Sequence, residues 1–336
     1  MGVRELETLR DIVLGANLAR AVCRIGELGI ADLFPREGSA PVAALATASG
    51  SHEEALYRTL RYLAAHGIFA EDPAAPRSFH LTPLAEALRR DGEHSFAAAV
   101  RVFEVAWAAL DCFPHTLATG ANALEAAVGR PLFEYLAAHP EIAMIFDAAM
   151  TSFHDPETPA MLTAYGFDGV RHVVDVGGGN GSMLLAVLGK HPELTGTVFD
   201  LDHVAVRTRQ AVAAAGMTER CDVVAGDAFR AVPDHGDCYV LRHVLHDWAD
   251  EPSAAILRNC RAAMGAGDRL LVVEAVVPEG NGPSVAKDWD ITMMLYTGGR
   301  ERTEAEYRAL LAAAGLRIER VVPTESMVSV IEARPS

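Results

Sequence analysis

The sequence predicts an α/β protein in which a mostly helical N-terminal part precedes a doubly wound, mostly parallel sheet. Two observations support this fold class. After about residue 158, short apolar strands alternate with helical segments, which is the pattern of parallel βα units. Before that point the chain is rich in alanine and places apolar residues at helical spacing. With 336 residues, 50% of them hydrophobic, the chain is long enough for two domains with large cores.

The N-terminal part has the element order of a winged helix. Helical segments at Ser39–Ala48 and Ser51–Ala65 are followed by short strands at Gly67–Ala70 and Ser78–Leu81. Thr82 then provides the N-cap of a further helix, with proline at its first position. A first helix is predicted from apolar residues at helical spacing: Leu14, Leu18, Val22, Ile25 and Leu28.

Winged helices often bind DNA, but this one is not expected to bind nucleic acid. Its candidate recognition helix, Ser51–Arg61, carries two acidic and two basic residues, and the formal charge of the chain is −16. A packing or dimerisation module is the favoured interpretation. The apolar stretch Leu14–Ile30 is compatible with a homodimer, although it could also fold back on its own core.

The predicted domains are 1–95, a winged-helix-like module, 96–158, a helical linker, and 159–336, the sheet domain. The linker bears a stripe of large apolar side chains, and such a stripe more often forms core than a ligand site. Its members are Phe103, Trp107, Phe146, Met150 and Phe153.

The sheet domain is predicted from six short apolar segments separated by helical ones. The predicted strands are His172–Val176, Gly196–Asp200, Cys221–Ala225, Asp237–Leu241, Arg269–Glu274 and Leu316–Val322. The predicted helices are Ser182–Lys190, Val204–Ala215, Pro252–Met264 and Thr303–Gly315, the last opened by a capping box of Thr303 and Glu306.

Cysteine usage and the N-terminus indicate the compartment. The five cysteines form no Cys-x-x-Cys pair, so neither a disulfide framework nor a cysteine zinc site is expected. The first 20 residues include Glu5, Glu7 and Asp11 and lack the apolar stretch of a signal peptide. No segment approaches the roughly 20 apolar residues that span a bilayer. We expect a cytoplasmic protein that does not bind membranes.

A glycine-rich turn follows the strand His172–Val176 and opens the next helix. Glycines at such a turn let the backbone approach a ligand closely. The dinucleotide fingerprint requires Gly or Ala at position 182, but the residue is Ser182, and no Walker Gly-Lys-Ser/Thr sequence follows. The turn therefore does not indicate pyrophosphate binding.

Acidic residues at neighbouring strand ends favour a nucleoside ligand without a diphosphate. Asp200 ends the second strand, where a carboxylate suits the hydroxyls of a ribose. Asp227 follows the third strand and could accept a hydrogen bond from an adenine amine, with Phe229 against the ring. Asp175 is expected at or near the same edge. Taken singly, each could be an ordinary strand-end or core residue.

His246 follows the fourth strand and is a candidate general base. Glu274 ends the next strand, and Glu301 lies in the turn Gly298–Thr303. A carboxylate hydrogen-bonded to one imidazole nitrogen fixes the tautomer and raises the basicity of the other nitrogen. Singly, a structural histidine and two solvated carboxylates would be the simpler interpretation, but the three together favour base catalysis.

These motifs resemble the S-adenosylmethionine-dependent small-molecule O-methyltransferases, a family with plant caffeate and flavonoid enzymes and bacterial antibiotic enzymes. The resemblance covers roughly residues 145–336, and the first half resembles more loosely the family's winged-helix dimerisation domain. The residues that carry it are Val174–Gly179, Phe199–Leu201, Gly226–Asp227, His246–Trp248 and Gly298–Thr303.

The resemblance implies a Rossmann-like domain with S-adenosylmethionine as cofactor, S-adenosylhomocysteine as product and no metal. Asp200 would hold the ribose, Asp227 the adenine amine, and Trp248 would form a wall of the adenine pocket. Arg242 stands where a lysine often reaches the cofactor. The implied cofactor-binding residues are Asp175, Gly177, Gly179, Asp200, Leu201, Gly226, Asp227, Ala228, Phe229, Arg242 and Trp248.

The implied reaction is methyl transfer to a hydroxyl of an aromatic small molecule by in-line displacement, in secondary-metabolite or antibiotic biosynthesis. His246 would be the general base, with Glu274 and Glu301 flanking and orienting it. The implied acceptor pocket comprises Phe103, Trp107, Phe146, Met150, Phe153, Asp290, Met293, Met294 and Thr297.

Three residues depart from the family pattern: Asp202 where proline is common, Ala228 for a bulkier residue, and Arg242 for lysine. Three other functions stay open. A family member can catalyse hydroxylation, decarboxylation or pericyclic chemistry instead of methyl transfer. An NAD-dependent oxidoreductase is disfavoured by Ser182, and a winged-helix regulator by the negative charge.

Overall fold

The computed structural model describes residues 2–92, 95–154 and 156–336, and the chain forms two compact units. The N-terminal unit comprises Met1–Trp107 and Leu136–Phe153, and the sheet unit comprises Ala108–Tyr135 and His154–Ser336. The segment 96–158, expected as one linker, contributes helices to both units.

The N-terminal unit contains two neighbouring helices followed by a hairpin, as predicted. Its elements are α1 (Val3–Glu27), a 3-10 turn (Ile30–Leu33), β1 (Ala40–Pro41), α2 (Val42–Ser49), α3 (Glu53–Ala65), β2 (Phe69–Glu71), β3 (Ser78–Leu81) and α4 (Pro83–Glu86). Helix α3 is amphipathic, since Leu56, Leu60 and Leu63 are buried on one face. Thr82 caps α4 by accepting a hydrogen bond from the N–H of Ala85 at 3.4 Å.

One boundary in this unit differs from the prediction. Ser39–Ala48 was expected to be one helix, but Ala40 and Pro41 form a strand antiparallel to β3, and the three-stranded sheet has the order β1-β3-β2. Pro41 is extended, with φ −71° and ψ 139°, and therefore serves as the N-cap of α2 rather than as part of it.

Ten further helices follow along the chain, counted over the described residues. They are α5 (Ala97–Asp111), α6 (Phe113–Thr119), α7 (Ala123–Val128), α8 (Leu132–Ala138), α9 (Pro140–His154), α10 (Glu157–Ala164), α11 (Ser182–Lys190), α12 (Asp202–Ala214), α13 (Asp250–Ala263) and α14 (Val285–Tyr296). An eleventh, α15 (Glu304–Ala313), begins with the predicted capping box of Thr303 and Glu306. Helix α13 begins two residues earlier than predicted because Pro252 is tolerated in a first turn, where its missing N–H has no helical partner.

The sheet unit is built on seven strands in the order β6-β5-β4-β7-β8-β10-β9. The strands are β4 (His172–Val176), β5 (Thr195–Asp200), β6 (Cys221–Ala225), β7 (Cys238–Arg242), β8 (Arg269–Ala275), β9 (Leu316–Pro323) and β10 (Val328–Pro335). The first five in this order pair in parallel, and β10 is antiparallel to both β8 and β9. The predicted doubly wound, mostly parallel sheet is confirmed, but β10 was not predicted.

Both faces of this sheet are buried. Along β4, Val174 and Val176 belong to one hydrophobic core, whereas Val173 belongs to the core on the opposite face. Strands covered on both faces are apolar at nearly every position, which is why these segments were recognisable as short apolar runs. All five cysteines are free thiols. Within the described residues, none of the helices has the length and apolar character needed to cross a membrane.

Candidate active site

The glycine-rich turn lies at the carboxyl end of β4 and packs directly on the strand below it. Gly177 and Gly179 adopt φ values of 73° and 58°, in the left-handed region that favours glycine. A Cβ on Gly178 would come within 2.6 Å of Oδ2 of Asp175, so a larger residue cannot lie this close to the strand. The turn therefore presents backbone without side chains.

Asp175 is the penultimate residue of β4, near the carboxyl end of the strand as the sequence indicates, and it lies beneath this turn with only 2% exposure. Burial raises the pKa of Asp175 to about 7, while the charge of Arg242 opposes the rise. One carboxylate oxygen, Oδ2, is buried without a hydrogen-bond partner among the described residues. Asp175 thus supports the turn from below.

Asp200 ends β5 and contacts the same turn. Its Oδ2 accepts a hydrogen bond from the N–H of Gly179 at 2.8 Å, and its Oδ1 accepts one from the N–H of Leu201 at 2.6 Å. Leu201 is itself exposed. The side chain that was predicted to hold a ribose is therefore fixed next to the bare backbone of the turn.

Asp227 and an aromatic cluster lie after β6. Oδ1 of Asp227 accepts a hydrogen bond from the N–H of Phe229 at 2.9 Å. Phe229, which is 39% exposed, meets Trp248 edge-on at 4.9 Å between ring centroids. Trp248 is stacked with Phe133 of α8 at 5.9 Å. Phe133 carries no local signal of this contact, because only the tertiary fold brings α8 to Trp248.

Gly226 and Ala228 shape the same region through close backbone packing. A Cβ on Gly226 would lie 2.3 Å from the ring of Phe199, and the carbonyl of Ala228 accepts a hydrogen bond from Asn259 at 2.8 Å. A glycine turn, an adjacent carboxylate and an exposed aromatic ring at one sheet edge fit a nucleoside cofactor without a diphosphate.

Arg242 is held by the start of α10. Its Nη2 lies 3.0 Å from Oε2 of Glu157 and donates to the carbonyl of His154, and its Nη1 donates to the hydroxyl of Thr158 at 2.8 Å. A buried guanidinium requires such partners. The resemblance assigns this side chain to the cofactor, and in the structure its guanidinium contacts His154 and two residues of α10.

The buried Glu157 and the half-buried His154 and His243 form a cluster beside Arg242. One ligand atom from each lies within 4.8 Å of the others, a spacing that could accommodate a metal ion. Nε2 of His243 is 2.8 Å from Oε2 of Glu157, and the His154 ring stacks on His243 at 3.9 Å. Burial lowers the pKa of both histidines well below the ordinary value. Because Arg242 already balances the charge of Glu157, the cluster does not need a cation.

His246 lies in a 3-10 turn after β7 and is 5% exposed. Its Nδ1 is 2.8 Å from Oε1 of Glu301, a carboxylate that is itself 2% exposed. Burial alone would lower the pKa of His246, but the hydrogen bond to Glu301 and the charges of Asp247, Glu301 and Glu274 raise it to about 9. The contact with Glu301 engages Nδ1 of the imidazole and not Nε2.

Glu274 is fully buried in β8 and does not contact the imidazole. Its Oε1 accepts hydrogen bonds from the N–H groups of Val244 and Leu245 at 3.0 and 2.6 Å. Of the two carboxylates expected to flank the imidazole, Glu301 is hydrogen-bonded to the ring, whereas Glu274 is hydrogen-bonded to the backbone. Neither acid is a solvated side chain, because both are at most 2% exposed.

The nine expected acceptor-pocket residues are divided between the two units. In the N-terminal unit, Phe103 meets Phe153 edge-on at 5.9 Å, and Trp107 lies under the guanidinium of Arg20 at 4.8 Å. Phe146 and Met150, on α9, are half-buried.

In the sheet unit, Asp290 has a contact that the sequence did not indicate. Its Oδ1 accepts a hydrogen bond from the N–H of Glu301 at 3.0 Å, so α14 helps to fix the partner of His246. Met293 is 6% exposed, whereas Met294 is half-buried. Thr297 accepts a hydrogen bond from the N–H of Gly299 at 3.0 Å.

Comparison with known proteins identifies the family of the chain. The family described as an O-methyltransferase domain matches residues 113–317, and an O-methyltransferase dimerisation domain matches residues 11–91. The phenazine O-methyltransferase PhzM of Lysobacter antibioticus is 39% identical over 97% of this chain and 95% of that protein.

Solved structures show the same likeness. The crystal structure of LaPhzM has a TM-score of 0.93 at 39% identity, covering 98% of this chain and 99% of that one. NcsB1, an O-methyltransferase from neocarzinostatin biosynthesis crystallised with S-adenosylmethionine and 2-hydroxy-5-methyl naphthoic acid, has a TM-score of 0.83 at 33% identity, covering 95% and 96%. The chain therefore belongs to the O-methyltransferase family, and it is an S-adenosylmethionine-dependent O-methyltransferase with an N-terminal dimerisation domain.

Proposed function

We propose that this enzyme methylates a phenolic hydroxyl of an aromatic small molecule, with His246 as the general base. The observation that carries the proposal is the 2.8 Å contact between Nδ1 of His246 and Oε1 of Glu301 in a buried site. A histidine whose Nδ1–H is held by a carboxylate presents a basic Nε2, which is the atom that would take the hydroxyl proton.

The proton transfer follows from ordinary acidities. A phenol has a pKa near 10 and is mostly neutral at pH 7, so its oxygen becomes a better nucleophile when Nε2 accepts the proton. Glu301 then faces the imidazolium and stabilises its charge. Asp247, with Oδ1 3.9 Å from Nε2, adds a second negative charge without a hydrogen bond. Such general-base assistance contributes about 10²–10⁴-fold to the rate.

The cofactor supplies an electrophilic methyl group when it is bound. Around it, Asp200 would accept hydrogen bonds from the ribose hydroxyls, and Asp227 one from the adenine amine. Trp248 and Phe229 would cover the adenine ring, with Phe133 behind Trp248. Gly177 and Gly179 would leave the backbone of the turn accessible. Arg242 would act indirectly, through its contacts with α10.

An aromatic acceptor is supported by the relatives and by the residues assigned to the pocket. NcsB1 was crystallised with a naphthoic acid, and the relative PhzM is named for phenazine. Rings and methionines suit planar apolar molecules of different outlines. The residues that the resemblance implies for the acceptor are Phe103, Trp107, Phe146, Met150 and Phe153 in the N-terminal unit and Asp290, Met293, Met294 and Thr297 in the sheet unit. The pathway would be antibiotic or secondary-metabolite biosynthesis.

We also propose a homodimer through the N-terminal unit. Apolar side chains along the first half of α1 are exposed, including Leu9 at 56% and Ile12 at 69%. A row of exposed apolar residues on one helix is unusual on a monomer and typical of an interface. A second copy of the chain would cover it.

The experiment pairs binding with turnover. Calorimetry measures S-adenosylhomocysteine affinity for the wild type and His246→Gln, and methyl transfer to 2-hydroxy-5-methyl naphthoic acid and related hydroxylated aromatics is followed by mass spectrometry. We expect unchanged affinity and a rate lowered by about 10²–10⁴-fold in His246→Gln. The exposed His203, on α12, provides the control His203→Gln, which should behave as wild type.

Two outcomes would count against the proposal. Turnover of His246→Gln close to that of the wild type would remove His246 as the base. An acceptor that is converted while S-adenosylmethionine is not consumed would indicate non-methyl chemistry at this site.

A further inference from the structure

The segment Val244–Trp248, here named the base loop, carries His246 and is held by buried side chains. Apart from its single 3-10 turn it has no regular structure of its own. The carbonyls of Leu245 and Trp248 accept hydrogen bonds from Arg302 at 3.0 and 2.9 Å. The carbonyl of His246 accepts one from the N–H of Arg300 at 2.8 Å.

The backbone N–H groups of the base loop are held by one carboxylate, that of Glu274. Oε1 of Glu274 accepts hydrogen bonds from the N–H groups of Val244 and Leu245, and the N–H of His246 lies 3.3 Å away. Three donors on one oxygen require that the carboxyl group keep one rotation, because turning it by a few tens of degrees would leave buried N–H groups without an acceptor.

The other oxygen of Glu274 is held by Tyr307. The Tyr307 hydroxyl is 2.6 Å from Oε2 of Glu274 and 3.3 Å from the carbonyl of Ala275, and the whole residue is 0% exposed. A hydroxyl has one proton to donate, and the shorter contact is the one to the carboxylate. Tyr307 therefore fixes the rotation that aims Oε1 at the base loop.

We propose that Tyr307 is a positioning residue for methyl transfer, which acts through Glu274 to hold the base loop and to keep a negative charge beneath His246. The inference rests on the proposed role of His246 as the base. Tyr307 does not touch the imidazole. Its effect on the reaction passes through one hydrogen bond, from its hydroxyl to Oε2 of Glu274, and then through the N–H groups that Oε1 accepts.

The electrostatic part of this coupling has a definite direction. Burial raises the pKa of Glu274, and the Tyr307 hydrogen bond opposes the rise by stabilising the carboxylate. Without the hydroxyl, Glu274 protonates more readily and loses the charge that helps to raise the pKa of His246. The other groups that face His246 are Glu301, Asp247 and the neutral ring of His243, whose centroid is 5.0 Å away.

The test compares Tyr307→Phe with Tyr239→Phe. Tyr239 is equally buried, in the same hydrophobic core, but its hydroxyl donates to the carbonyl of Ala263, away from the base loop. The titration of His246 is followed by NMR of ring-labelled histidine in the full-length protein, with the signal assigned from His246→Gln. We expect the midpoint of His246 to fall by at least about half a pH unit in Tyr307→Phe and to stay constant in Tyr239→Phe.

A double-mutant cycle with Glu274→Gln tests whether Tyr307 acts through Glu274. In Glu274→Gln the amide oxygen can still accept from the base loop, but the charge is gone, so we expect the His246 midpoint to fall there too. Adding Tyr307→Phe to that variant should then change the midpoint little. The proposal would be overturned if the His246 midpoint in Tyr307→Phe were the same as in Tyr239→Phe. It would also be overturned if the Tyr307→Phe and Glu274→Gln shifts of that midpoint simply added in the double variant. If Tyr307→Phe does not fold, a His246 midpoint unchanged in Glu274→Gln overturns it instead.

Kinetics separate positioning from general destabilisation. With an accepted aromatic substrate, Tyr307→Phe should lower kcat about tenfold, leave KM for S-adenosylmethionine within about twofold, and move the pH profile with the NMR midpoint. The NMR result does not depend on an acceptor. A shifted His246 midpoint together with a fully active His246→Gln would contradict the proposed function while leaving the coupling itself established.

Discussion

Oε1 of Glu301 lies 2.8 Å from Nδ1 of His246, although the two residues are 55 positions apart along the chain. Glu301 is 2% exposed and His246 is 5% exposed. The N–H of Glu301 is in turn bonded to Asp290 of α14 at 3.0 Å. Helix α14 therefore helps to hold the Glu301 member of the pair.

The rate should depend on pH through this pair. The pKa of His246 is raised to about 9, so the neutral form is a minority at pH 7 in the protein without ligands. We expect kcat/KM to increase between pH 7 and about 9 and then to level off. In Glu301→Gln the lost hydrogen bond to a charged partner should move this limb to lower pH and reduce the limiting rate by about 10–100-fold. If the pH range of this rise were the same in Glu301→Gln as in the wild type, the assignment of the rise to the His246–Glu301 pair would be contradicted.

The free energy of unfolding should also depend on the pKa of His246, but it should fall with rising pH where the rate increases. Because the folded pKa of His246 lies above the ordinary value of 6.5, the protonated form stabilises the fold below about pH 6.5, and this contribution is lost as the pH rises through about 9. The raised pKa corresponds to about 3 kcal/mol at most. Urea unfolding of the wild type and His246→Gln from pH 6 to 10 measures it. A difference between the two proteins that is independent of pH would contradict the shift.

Asp200→Asn should weaken cofactor binding. The substitution keeps the size of the side chain but removes the charge that accepts from Gly179 and, in the proposal, from the ribose. Loss of one charge-assisted hydrogen bond corresponds to roughly 10–100-fold in affinity for S-adenosylhomocysteine by calorimetry. Asp202→Asn, on the neighbouring exposed residue at the start of α12, is the matched control and should bind as wild type. Equal affinity of both variants would remove Asp200 from the ribose site.

Gly299→Ala should displace the base loop. A Cβ at this position would lie 1.9 Å from the carbonyl oxygen of His246, a backbone atom that cannot move aside cheaply. We expect a loss of about 1–3 kcal/mol in the free energy of unfolding and a clear fall in kcat. Gly267→Ala, where a Cβ meets nothing within 4 Å, controls for the glycine-to-alanine change itself. Wild-type stability and activity in Gly299→Ala would show that the loop can rearrange.

Ile12→Glu should disrupt the proposed homodimer. Ile12 is 69% exposed on α1, so the change costs the single chain little but places a charge in the interface. Size-exclusion chromatography with light scattering at micromolar concentration should give a dimer for the wild type and a monomer for the variant. Val206→Glu, on an exposed apolar residue of α12, should remain dimeric. A wild type that is monomeric would contradict the proposal directly.

Much of the fold follows from local sequence patterns. Strands β4 and β6 and helix α11 have the predicted boundaries, because buried parallel strands leave short apolar runs and the glycine turn marks the start of α11. The capping box at Thr303 is likewise a local signal. Strand β10 was missed although its sequence is strand-like, and its place between β8 and β9 depends on long-range pairing that no local pattern records.

Local sequence signals are enough to show which chemical groups lie at the edge of the sheet. Asp200 ends a strand, the turn glycines, Asp227 and His246 each follow one, and parallel strands end at one edge. What each group touches depends on the tertiary structure. It placed Glu274 on the backbone of the base loop, Arg242 on Glu157, and Phe133 against Trp248. These contacts leave no local pattern because a buried charge finds its partner in three dimensions, and Arg242 and Glu157 are 85 residues apart along the chain.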